Sequence, residues 1–267
     1  YQWLNEPAES ALQHYGITSL AFVLDGPLRN LPLAALHNGQ RYLAEEYDLA
    51  LSPGLQLLQV NTAPFVSDKT KALVGGLSTS TNNRPPLAGV EDEIAYLHSI
   101  TKAQVLKNEK FTLKSLVKQA QRQSFDIMHL ATHAQFGETD AETFIETWDG
   151  NLDINQLRQL LNQQDIQGLP TTLLVLSACD TAQGNNKAVL GMAGLAVRSG
   201  AQATLATLWS VNDRATAAFI QAFYEGWIQK KMTKAEAVQY AQRKLIHSPA
   251  FRHPYYWSPF VLVGDWT

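Results

Sequence analysis

The chain predicts an α/β fold built on a largely parallel sheet, and two observations carry that prediction. Short β-prone apolar runs alternate with segments of helical period from Ile17 to Val263, the pattern that βαβ crossovers produce when helices cover both faces of a sheet. No fixed-period repeat and no low-complexity tract breaks the alternation, so solenoids and propellers are not indicated. Ligands of such sheets gather beyond the carboxyl ends of the strands. Two runs end there on reactive side chains: Phe125 to His133, and Thr172 to Cys179.

The elements follow in order. Ile17–Leu24 is β-prone and meets the turn signal Asp25-Gly26-Pro27, so it is expected as the first core strand. Pro32 suits the first turn of a short helix over Leu31–Leu36, and Arg41–Ala50 alternates as a peripheral strand after the turn at His37-Asn38-Gly39. Lys71–Ser78 reads as a strand. A polar loop from Thr79 to Pro86 then leads to a helix over Val90–Ile100, with apolar Val90, Ile94, Leu97 and Ile100 at helical period and Glu91, Asp92 and Glu93 in its first turn. Further helices are expected at 112–121, 154–162, 189–198, 213–230 and 234–247, and strands at 104–106, 125–132, 173–178, 203–209 and 257–263. The irregular segments 78–86, 137–150 and 183–187 are the places where regulation could act.

Composition narrows the function classes. With 45% hydrophobic and 17% charged residues, net charge −3 and pI near 6.2, the 267 residues describe an ordinary globular chain that fits one α/β domain. A single cysteine excludes an intrachain disulfide framework and a multi-cysteine zinc site, which suits a reducing compartment and a cytoplasmic location. No apolar run reaches membrane-spanning length, so no membrane is expected. The start Tyr1-Gln-Trp-Leu-Asn-Glu has neither initiator Met nor signal-peptide pattern and reads as an internal piece of a longer protein. Lys and Arg are scattered, with Lys230-Lys231 the only adjacent pair, so direct nucleic-acid contact is not expected.

Cys179 has two readings. A thiol attacks a carbonyl as thiolate, which needs an imidazole or a helix N-terminus to lower its pKa and backbone N–H groups to hold the oxyanion. His133 could supply the base. Equally, a free cysteine is often just a small core hydrophobe. His129 reads as a satisfied core histidine, because along a strand it would stand roughly 13 Å from His133, too far to share a metal ion. Gly75-Gly76 lacks a following Gly-Lys-Ser/Thr, and Gly-x-Gly-x-x-Gly is absent, so no cofactor is expected. Three carboxylates crowd the same mouth: Asp180, Asp213 and Asp25. They would favour a basic substrate side chain, although Asp213 could instead serve with Asn212 as a helix cap. The acidic stretch Glu138, Asp140, Glu142, Glu146 and Asp149 is either a solvated loop or a rim for cationic peptides. Trp209 could wall a substrate slot or belong to the core, and Arg29 could pair with Asp25 or face the mouth.

At these residues the sequence resembles the CHAT domain, a caspase-like member of the cysteine peptidase clan that includes caspases, separases, gingipains and legumains. The likeness is carried by Asp25–Gly39, Leu87–Ile94, His129–Phe136, Leu176–Thr181, Gly191–Asp213 and His253–Trp266. It implies a caspase-like three-layer α/β/α fold with a mainly parallel central sheet over residues 1–267, residues 1–15 forming the junction to an upstream TPR-like region. It also implies a His133–Cys179 dyad, with the N–H groups of Ala134 and Cys179 as the oxyanion hole. Ala134 stands where relatives often carry Gly. Of the caspase signature Gln-Ala-Cys-x-Gly only Ala178-Cys179 remains, so Asp specificity is not implied. Basic-specific relatives use acidic pocket residues, and Asp213 is the best-placed equivalent, with Asp180, Trp209 and Asp25 as further substrate contacts. The expected activity is a cysteine endopeptidase cutting protein or peptide substrates after Arg or Lys, under control of a TPR region or regulatory protein. The alternative is a caspase-like interaction module without catalysis.

Overall fold

Eight strands form one sheet in the order β1-β2-β11-β10-β9-β5-β3-β4. They are β1 (Ser19–Phe22), β2 (Asp48–Leu51), β3 (Lys71–Gly76), β4 (Lys102–Lys107), β5 (Ile127–Ala131), β9 (Leu173–Leu176), β10 (Ala203–Thr207) and β11 (Phe260–Gly264). Every pairing is parallel except β10 with β11. A second, antiparallel sheet joins β6 (Ala134–Gln135), β7 (Phe144–Thr147) and β8 (Gly150–Asp153). The computed structural model describes residues 1–26, 28, 31–54, 70–79, 84–135, 139, 142–166, 170–177 and 193–267.

The helices are α1 (Glu6–His14), α2 (Leu43–Glu46), α3 (Gly89–Ile100), α4 (Leu113–Arg122), α5 (Ile154–Ile166), α6 (193–198), α7 (Asp213–Tyr224) and α8 (Lys234–Ile246). Their ends follow local chemistry. Thr112 caps α4 by accepting from the Ser115 N–H at 3.1 Å, and Thr233 with Glu236 makes a capping box for α8.

Strand parity divides the core into two layers. Val74, Ile127, Ala131, Val175 and Leu205 pack with α3, α7 and α8, whereas Leu73, Met128, Leu130, Leu174 and Ala206 pack with α4, α5 and α6. Successive side chains of a strand point to opposite faces, so fully buried strands such as β5 and β9 must be apolar on both. Gly75 and Gly76 serve this packing. A Cβ at Gly75 would lie 2.2 Å from Phe111, and one at Gly76 2.7 Å from Val90.

Four expectations need correction. The strand near Ile17 is the sheet edge, with alternating partial exposure. The peripheral ribbon at 41–50 is instead α2 followed by β2, which is paired within the main sheet. The helix expected to Lys230 changes to a π-helix over Glu225–Gln229. The acidic stretch before Gly150 contains the β7–β8 hairpin, where Glu146 is 3% exposed rather than solvated. Local period could not reveal α1, which buries no residue.

Candidate active site

The central strands β3, β5, β9 and β10 are neighbours and run parallel, so their carboxyl ends open on one side. After β3 the chain adds β4 on one flank and β5 on the other, which makes a topological switch point with a crevice outside the strand ends. A cavity of about 270 Å³ lies there. Pro85, His133, Ser177, Thr207 and Ser210 come to it from the strand exits, and Glu93 and Asp213 from the helical layer. Parity explains the gathering: His133, Ser177 and Thr207 continue the alternation of Ala131, Val175 and Leu205, whose side chains face α3 and α7.

His133 is 7% exposed, and its Nε2 lies 3.0 Å from the carbonyl oxygen of Pro85. A carbonyl only accepts, so the neutral ring carries its proton on Nε2 and leaves Nδ1 as the basic nitrogen. The surroundings fix that arrangement. Arg84 Nε pairs with Glu146 Oε1 at 2.7 Å, the Glu146 N–H donates to the His133 carbonyl at 2.8 Å, and the Thr132 hydroxyl donates to the Glu146 carbonyl at 3.0 Å. One residue of β7 therefore holds both the segment carrying Pro85 and the backbone of His133.

The bond from Glu146 N–H to the His133 carbonyl makes Ala134 and Ile145 a non-hydrogen-bonded pair of the β6–β7 ladder. The Ala134 N–H thus lies outside that ladder. Ala134 is also not among the residues with positive φ, so its backbone needs no glycine.

Asp213 is the first residue of α7, and the cap is Asn212, whose Oδ1 accepts from the N–H groups of Arg214 and Ala215. This frees Asp213 for another partner. Its Oδ2 accepts the Gly89 N–H at 2.5 Å, joining the starts of α3 and α7. The approach needs glycine, because a Cβ on Gly89 would meet Asp213 Oδ1 at 2.8 Å.

Glu93 also borders the cavity, although its side chain is only 1% exposed. Its Oε2 lies 2.9 Å from His129 Nε2, and His129 Nδ1 lies 3.2 Å from the Tyr224 hydroxyl. Complete burial, with Glu93 adding to it, holds the Tyr224 phenol well above its ordinary pKa. With its proton retained and no other acceptor among the described residues, Tyr224 donates to Nδ1, and Nε2–H donates to the Glu93 carboxylate. His129 is the satisfied core histidine that its strand position implied.

Two expected substrate contacts stand apart from this cavity. Trp209 stacks on Tyr255 at 6.3 Å and donates its indole N–H to the Tyr255 carbonyl at 3.2 Å, and it does not line the cavity. Asp25 follows β1 at an exposed turn, where it accepts the Gly26 N–H. Four strand spacings separate β1 from β9, roughly 19 Å at about 4.8 Å each. Cys179, Asp180 and Arg29 lie outside the described residues. Ser177, two positions before Cys179, is the last described residue of its run, and its N–H donates to the Leu130 carbonyl at 3.1 Å.

Sequence reasoning passed over Pro85, Arg84, Glu93, Ser177 and Thr207. Only Glu93 left a signal: it is a carboxylate beside the apolar stripe Val90, Ile94 and Leu97 of α3.

A mixed α/β architecture with a large, mainly parallel sheet and helices on both faces is that of the caspase-like folds. Gingipain R, in a crystal structure described as that of an Arg-specific cysteine proteinase, superposes with TM-score 0.59 at 11% identity, over 98% of this chain and 67% of that one. Separase from Saccharomyces cerevisiae, in complex with securin, superposes with TM-score 0.52 at 13% identity, over 83% of this chain and 14% of that one. The CHAT domain family matches residues 1–265, and the chain belongs to it. Tetratricopeptide repeat protein 28 of Homo sapiens and of Mus musculus is 26% identical over 322 residues, covering 99% of this chain. The chain spans 13% of the length of those relatives. Among the described residues, no helix is long and apolar enough to cross a membrane.

Proposed function

We propose that this chain is a cysteine endopeptidase that cuts protein substrates after a basic residue. The observation that carries the reading is one cavity lined by His133, with Nδ1 as its basic nitrogen, by the Asp213 carboxylate, and by the strand exit that leads through Ser177 toward Cys179. Cys179 gives its proton to His133, and the sulfur forms a bond to the peptide carbonyl carbon. The N–H groups of Ala134 and Cys179 hold the oxyanion. His133 then protonates the leaving amine as the C–N bond breaks, and water releases the acyl group from sulfur with His133 as base. Asp213 receives the basic side chain, and Asp180 adds negative charge at the mouth. The TPR relatives support a helical-repeat region or a regulatory protein as the controlling partner.

An Arg-acyloxymethylketone probe followed by intact mass tests the reading. One adduct is expected on the native chain and none on Cys179→Ala. If no adduct forms with or without a TPR-containing partner, the peptidase reading fails in favour of an interaction module.

A further inference from the structure

We infer that β1 is a pairing edge, to which a second copy of this chain adds its own β1 antiparallel, about a two-fold axis at Ala21.

The backbone carries the argument. In the parallel ladder with β2 the carbonyls of Thr18 and Phe22 accept from the N–H groups of Asp48 and Ser52. The even positions of β1 therefore face β2, and Ser19, Ala21 and Val23 turn their N–H and C=O groups out of the sheet. Those outward groups have no partner among the described residues. All three residues are exposed, Val23 at 42%. A row of alternating donors and acceptors at strand spacing is complementary to another extended strand.

The two edges of the sheet are built differently. β4 begins and ends on Lys102 and Lys107, and lysine on an edge strand discourages pairing. Ile17–Leu24 holds no charge, no proline and no glycine, and β1 keeps its register with β2 without a bulge. Of the eight exposed large hydrophobic side chains among the described residues, six lie between Trp3 and Leu28, on the segment that carries β1. An edge so built is a template for association.

A second copy fits this edge by symmetry. A two-fold pairing sets each residue near the axis against itself or a close neighbour, so a charged strand would oppose like charges, and this one has none to oppose. With the axis at Ala21, its outward groups meet those of Ala21 of the partner subunit, and Ser19 meets Val23 of the partner subunit in both directions. Every outward group of β1 then has its complement. The pairing also closes: it uses both β1 edges and leaves only the lysine-bearing β4 edges, so the assembly stops at two.

Sedimentation over a dilution series tests the pairing. The 267-residue chain is expected to sediment at twice 29.6 kDa and to dissociate on dilution. Ala21→Pro removes an outward N–H and no bond to β2, so it should raise the dimer dissociation constant by about fivefold to hundredfold while the circular dichroism of the folded chain stays the same. Ala21→Lys and Ala21→Glu, each set against itself at the axis, should each weaken the dimer about twofold to fivefold. Their equimolar mixture should form a mixed dimer tighter than either variant forms alone. A native chain that stays monomeric, an assembly that keeps growing with concentration, or a dimer that all three variants leave unchanged overturns the inference. A mixture that pairs no more tightly than its components overturns the axis at Ala21.

Discussion

His129 and His133 belong to the same run, four residues apart and on the same side of the sheet, yet their rings are held differently. His129 is fully buried with both nitrogens engaged, one by the Glu93 carboxylate and one by the Tyr224 hydroxyl. His133 stands just past the strand end. Its Nε2 is held by a backbone carbonyl, and Nδ1 has no partner among the described residues. The two rings differ in whether the second nitrogen has a partner in the core. Depth along the strand decides which partners each ring meets.

The largest expected effect that tests this contrast comes from His133→Asn. Hydrolysis of an Arg peptide should fall by about 10²-fold to 10⁴-fold, the usual contribution of a positioned general base, while urea unfolding stays near that of the native chain. A comparable loss of stability would make His133 a core residue like its neighbour. His129→Leu should act in the opposite sense. It leaves the buried Glu93 carboxylate without its donor and Tyr224 without its acceptor, and equilibrium unfolding should show a loss of about 3–5 kcal/mol. Unchanged stability would mean that the Glu93–His129 pair holds nothing together.

The smallest effect lies on the exposed side of the same helix. Glu91 accepts from Lys107 at 2.6 Å and from the Ser78 hydroxyl, and these bonds, Lys107 first, hold its carboxyl below the ordinary range. A depressed folded-state pKa contributes stability above the unfolded value and loses it as pH falls through the folded one. Both side chains are more than two-fifths exposed, so solvent screening limits the pair to less than about 1 kcal/mol. Lys107→Met should therefore flatten the acid loss of stability between pH 5 and pH 3 only slightly. A large change, measured by urea unfolding across that range, would show that exposed pairs on α3 count for as much as the buried one.

Much of this molecule was legible before its structure. β3, β5, β9 and β10 fall where apolar runs predicted them, and α3, α4, α7 and α8 begin within a residue of the expected starts, because period and capping chemistry are local. The satisfied role of His129 followed from its place inside an apolar run. Position within the sheet was less legible. β-Propensity at Ile17–Leu24 and alternation at Arg41–Ala50 predict strands, but neither signal can tell an edge strand from a paired inner one. Trp209 and Asp25 stand at the ends of expected strands, which predicts a place at the site, but neither lines the cavity that holds His133 and Asp213.

The order of residues was enough to set the alternation of strands and helices, the ends of the central strands, and the family. These follow from side-chain period, caps and motif order, all read within a few neighbouring positions. Folding in three dimensions alone settled which strand ends share a cavity. It brought the Pro85 carbonyl to His133 and the Gly89 N–H to Asp213, and left the hydroxyls of Ser177 and Thr207 buried without partners. Those contacts join residues from about 48 to 124 positions apart, and strand order, which no local pattern encodes, is what closes that distance.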